Sequence, residues 1–176
     1  MKKEAGFTLI ELMVVVSIML LLLAWGIPSY TTWKLKHDVE NEMIQLYSDL
    51  QLGRMTAYGS KVVSGVLWAG AASTNITSYQ IMSDTNNNGT IDNGATQVPG
   101  TGTVTPKYPI VSSADQQSVS FDGRGFLYTA NASDPADPVT FSVNVSLSSA
   151  AAMNCVCVST TKITLGKMNA GVCQPK

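Results

Sequence analysis

The chain opens with a short basic tag and then an apolar run interrupted by one carboxylate. Lys2 and Lys3 stand before the run, and between Phe7 and Ile27 the only charged side chain is Glu11. As a helix rising 1.5 Å per residue, this stretch extends about 31 Å, enough to cross the hydrocarbon core of a bilayer. Such a segment is either removed from the chain or holds it to a membrane, and the remaining residues must fold on one side. The two lysines put the N-terminus in the cytoplasm and everything after Pro28 outside.

A conventional secretory signal has the same basic start and apolar middle, with a small-x-small cut here at Ala24-Trp25-Gly26 and a mature terminus at Ile27. Glu11 argues against it, because a carboxylate costs about 2.5–3.5 kcal/mol at the centre of a spanning helix and less near its end. The run is also longer than a signal core, and an amphipathic helix continues from it without a break. "TLIE" fits a capping box, with Thr8 as N-cap and Glu11 at the third helical position. Capping accounts for a glutamate there. It does not account for the basic leader, Gly6, Phe7, Glu11, the apolar helix and Pro28 together.

That combination, with "GFTLIEL" at its centre, resembles the N-terminal signal of type IV pilins and of the pseudopilins of type II secretion. The resemblance implies that a prepilin peptidase cuts after Gly6 on the cytoplasmic side and methylates the new N-terminus at Phe7. Residues 1–6 leave as a leader peptide, and the helix stays in the inner membrane lipid. The family's glutamate falls on Glu11, whose partner is then the Phe7 amine of a neighbouring subunit. A charge in hydrocarbon needs such a partner. Cleavage creates the missing cation, which couples processing to assembly with other pilins or pseudopilins.

Beyond Pro28, the apolar residues Leu35, Val39, Met43, Leu46, Leu50 and Ala57 recur mostly every three or four positions, one stripe of an amphipathic helix. Gly59 is the expected stop. Residues 7–59 are therefore read as one N-terminal helix, transmembrane over 7–27 and broken or bent at Pro28, whose ring removes a backbone donor. The stripe is expected to pack on a sheet, and His37 to be an exposed helix residue. From residue 60 to 176 the pattern turns to short β-branched and aromatic runs: "KVVSGVLW", "SYQIMSD", "SVSFDG", "GFLYTA", "VTFSVNVSL", "CVCVST" and "KITLG". They predict an antiparallel sheet or two packed sheets, with a long loop from Gly94 to Ser113 carrying Pro99, Pro106 and Pro109. The fold class is α+β and pilin-like. The order of "LQLGRMTAY", a D-x-N-x-N-G segment, "VSFDGRGF", "VTFSV" and a cysteine-containing last hairpin is similar to the GspH/FimT class of minor pseudopilins and minor pilins. "TTKITLGK" stands where that class usually shows a Gly-Arg pair, so an arginine role there is not carried over.

Charged residues are 13% of the chain and the net charge is -1, which does not suggest a surface made for nucleic acid. A DNA-binding minor pilin would rely on Lys162, Lys167 and Lys176, the late basic residues. The three cysteines, Cys155, Cys157 and Cys173, lack the fourth ligand of a zinc site. A disulfide is expected instead, and with it an oxidising, periplasmic location. Cys155 and Cys157 fall on one face of a strand and either reaches Cys173; the expected pair is Cys157 with Cys173, closing a loop of about 15 residues. "DTNNNGTID" puts Asp84, Asn86, Asn88, Thr90 and Asp92 at successive ligand positions of a calcium loop, but Ala95 stands where the bidentate glutamate belongs. The same letters suit a tight Asn-Gly turn. No other cofactor is implied. With His37 the only histidine, a catalytic triad has no support and no enzyme is expected. The Asn144-Val145-Ser146 triplet is expected by chance in so polar a chain.

Overall fold

The computed structural model describes residues 6–70, 75–92, 94–114, 117–128, 138–143 and 150–176, excluding the side chains of residues 25, 26 and 28. Most of the leader, the Asn144-Val145-Ser146 triplet and the ends of the expected strands at 125–130 and 139–147 lie outside the described residues. Packing divides the chain into two units, Met1–Leu35 and Lys36–Lys176.

One helix, α1 (Leu9–Ser60), contributes to both. Its start is capped as the letters imply: the Glu11 N–H donates to Thr8 Oγ1 at 3.3 Å, and the Leu12 N–H to the Thr8 carbonyl at 3.2 Å. The helix is unbroken at Pro28, contrary to a break there. Proline has no N–H for the Ala24 carbonyl, a local cost of about 3 kcal/mol that does not end the helix here. In the first unit, the apolar side chains from Phe7 to Leu23 are all solvent-facing, from 46% exposed at Val16 to 82% at Phe7.

In the second unit, Val39, Met43, Leu46, Leu50 and Ala57 are each 2% exposed or less, so the stripe is buried. Gly53 falls in the same stripe between Leu50 and Ala57. A Cβ built there would stand 3.2 Å from the Gly65 Cα, and one on Gly65 would stand 2.0 Å from the Val119 carbonyl oxygen. Gly53 lets the helix approach the β1 backbone, and Gly65 lets β1 lie close against the backbone of β5.

The first sheet is antiparallel, in the order β3 (Thr96–Gln97), β2 (Ser78–Ser83), β1 (Ser64–Ala69), β5 (Ser118–Phe121), β6 (Leu127–Tyr128). The second is also antiparallel, in the order β10 (Val172–Pro175), β9 (Ile163–Asn169), β8 (Cys155–Val158), β7 (Val139–Val143), β4 (Ile110–Ser112). Trp68 of the first sheet meets Phe141 of the second edge to face, with centroids 5.5 Å apart, in the shared core.

The stretch expected as a loop from Gly94 to Ser113 is mostly loop, but it also pairs with both sheets. It contributes β3, a bridge from Val104 to Tyr79, and β4. These pieces are too short to show periodicity, and Pro99, Pro106 and Pro109 all lie outside the ladders, where a missing N–H costs nothing. Strand β10 was equally hidden; it comes after a two-residue turn in which Ala170 and Gly171 have φ of 48° and 83°.

The disulfide is Cys155–Cys173, not Cys157–Cys173. The register explains the choice. Cys155 pairs with Gly166, which pairs with Pro175 on its other side, whereas Cys157 pairs with Thr164, beyond the reach of β10. The bridge therefore links β8 to β10 across β9 at a glycine. Flat strands two ladders apart would be about 9.5 Å from each other. The two Cα atoms are 6.0 Å apart, so the sheet folds sharply at Gly166. A Cβ on Gly166 would lie 2.3 Å from the Gln174 carbonyl oxygen and 3.0 Å from Cys173 Sγ. Cys157 is the free thiol and is half-buried.

Candidate assembly site

The residues singled out for processing and assembly lie together at the start of α1. Gly6 and Phe7 precede the helix, Thr8 caps it, and Glu11 sits in its first turn; all are exposed. An anionic side chain there complements the positive end of the helix dipole. The capping bond uses the Glu11 backbone N–H, so its carboxylate is left to meet another group. The apolar stretch from residue 9 is long and apolar enough for one membrane span.

Other candidate groups have different places. Asp84, 2% exposed, accepts from the Asn88 N–H at 3.2 Å and the Gly89 N–H at 2.7 Å. Asn86 Oδ1 accepts from the Asn88 N–H at 3.2 Å, Asn88 Nδ2 donates to Asp92 at 3.0 Å, and the Thr90 hydroxyl donates to Asn88 Oδ1 at 2.8 Å. The residues of the expected calcium loop are thus linked, through the Thr90 hydroxyl rather than the carbonyl expected as its ligand, in a turn whose carboxylates already hold donors. Bonds from the Gly94 N–H and the Asn88 amide keep the Asp92 carboxyl below the usual range. Among the described residues, no three His, Cys, Asp or Glu side chains group as metal ligands. Lys162 directly precedes β9 and Lys167 lies within it, about 16 Å further along the strand, and Lys176 comes after β10. His37 is exposed on α1.

Two sets of structural contacts were missed from sequence. Carboxylates flanking the buried stripe bond the β domain: Asp38 pairs with the Lys107 amine at 2.5 Å, Glu42 accepts from the Tyr108 N–H at 3.2 Å, Glu40 from the Ala152 N–H at 2.6 Å, and Asp49 from the Tyr79 hydroxyl at 2.8 Å. Burial raises the pKa of Glu42 and of Asp49. Their spacing beside the stripe is the signal that could have revealed them. At the far end of α1, Asp122 organises the turn between β5 and β6. It accepts from the N–H groups of Arg124 and Phe126, both at 2.9 Å, and pairs with the Arg124 guanidinium at 2.8 Å. Lys61 Nζ donates to the Gly123 carbonyl at 3.1 Å, and Arg54 to the Thr161 carbonyl at 2.8 Å. These bonds tie the helix end to turns of both sheets.

A membrane-length helix whose second half is the core element of an antiparallel β domain defines a pilin-like subunit. Comparison with known families agrees: residues 1–27 match the prokaryotic N-terminal methylation motif, and residues 42–162 match the type II transport protein GspH. The second match spans more than half of the chain, which belongs to the GspH family of structural pseudopilins. No curated protein and no solved structure matched.

Proposed function

We propose that the protein is a minor pseudopilin of a type II secretion pseudopilus. Prepilin peptidase removes residues 1–6 and methylates Phe7, and the helix holds the subunit in the bacterial inner membrane with the β domain in the periplasm. In the filament, Glu11 accepts the charge of a neighbour's Phe7 amine. The observation that carries this reading is the N-terminus itself: an exposed Glu11 in the first turn of a capped, otherwise uncharged apolar helix, immediately after Gly6 and Phe7. The GspH match favours the secretion filament over a type IV pilus. The disulfide supports an oxidising compartment for the β domain.

Intact-mass analysis of the protein from its own host is expected to give a chain starting at N-methyl-Phe7. A terminus at Ile27 would refute the anchored subunit. Glu11→Ala is expected to be processed normally but to enter filaments poorly, and normal incorporation would refute the charge pairing.

A further inference from the structure

We infer that Tyr30, Trp33 and Lys34 form a collar that seats the helix in the phospholipid headgroups where it leaves the bilayer. The inference rests on the membrane-anchored reading above and adds a partner for residues that reading does not use. Ile27, Tyr30 and Trp33 are each 60% exposed on α1, directly after a segment whose apolar side chains are exposed throughout. The aromatic rings are one turn apart, with centroids separated by 6.1 Å. Two large aromatics held together in water, continuous with a membrane-spanning surface, have the chemistry of an interfacial belt: an apolar body with a polar edge.

The distances fit this placement. At 1.5 Å per residue, Tyr30 is about 4.5 Å and Trp33 about 9 Å past Ile27 along the axis, while the headgroup layer is about 5–7 Å thick. Side chains on a helix lean toward its N-terminus and cover the preceding turn, which here brings both rings back toward the membrane. Exposed Lys34, next in sequence, places an ammonium at the level of the lipid phosphates, and Lys36 adds a second cation two residues on. A phospholipid surface offers anions to these lysines directly beside the apolar layer.

The test uses the full chain in vesicles of phosphatidylethanolamine and phosphatidylglycerol carrying a quencher either at the headgroup or at the acyl-chain end. The fluorescence due to Trp33 is read as the difference between the native chain and Trp33→Phe, which leaves Trp25 and the core Trp68 untouched. Headgroup quenching of that signal is expected to exceed acyl-end quenching about twofold or more. Tyr30→Ala combined with Lys34→Ala should reduce that ratio. Resistance to alkaline carbonate with no quenching of Trp33, or with stronger quenching from the acyl end, would overturn the collar while leaving the span intact. Release of the chain by carbonate would overturn the span and the collar with it.

Discussion

The Cys155–Cys173 bridge allows a prediction whose size comes from its place in the sheet. Replacing Cys155 by alanine opens a loop with a sequence separation of 18. In the chain-entropy account, that restores about 11 cal/mol/K to the unfolded state, or about 3 kcal/mol at 25 °C. For a chain of this size the loss corresponds to a fall in Tm of roughly 6–12 °C. Cys157→Ala removes only a half-buried thiol and leaves the loop closed; it is expected to change stability by less than about 0.5 kcal/mol. The assay is urea unfolding of the detergent-solubilised full chain under non-reducing conditions, monitored by tryptophan fluorescence, with thiol titration counting free cysteines. A large loss from Cys157→Ala and none from Cys155→Ala would refute both the pairing and the register that explains it.

Gly65→Ala should destabilise the domain by about 3 kcal/mol, the upper end of the usual overpacking cost, in the same unfolding assay, because the new methyl meets the backbone of β5 rather than a side chain that can move. The Asp122 carboxyl is held low: burial opposes this, but bonds from Phe126 and Arg124 prevail. Its contribution is therefore present above the ordinary aspartate range and lost as pH falls through the depressed folded value. Asp122→Asn should flatten that part of the stability–pH curve, and an unchanged acid limb would refute the turn's role. Calcium added to the chelator-treated protein is expected to move Tm by less than about 1 °C, since Asp84 and Asp92 already hold their donors; a larger rise would establish the loop as a site.

The helix and the interior strands were legible because they repeat. Val39 to Ala57 keeps one spacing over several turns, and runs such as "SYQIMSD" and "VTFSV" are long enough to show β composition. The N-terminal candidate site stands out in the sequence for a different reason: a lone carboxylate in an apolar helix is costly and calls for a partner. What stayed hidden depends on contacts distant in sequence. β3 and β4 are defined by pairing with β2 and β7 rather than by their own letters. The choice between Cys155 and Cys157 turned on Gly166, where the missing side chain lets β8 and β10 close over β9. Gly53 and Gly65 gave a readable sign, since each interrupts an otherwise consistent pattern, but only the packed structure shows that they face one another.

The edges of the two sheets bear on how a subunit built for a polymer avoids the wrong one. Among the described residues, the edge strands β3, β4 and β10 have 2, 3 and 4 residues, while the interior strands have 4 to 7. Pro175 ends β10, and Pro109 directly precedes β4. Short borders of this kind offer few unpaired backbone groups to a strand from another molecule. At these three edges, crowded copies of the β domain thus have little basis for joining sheet to sheet.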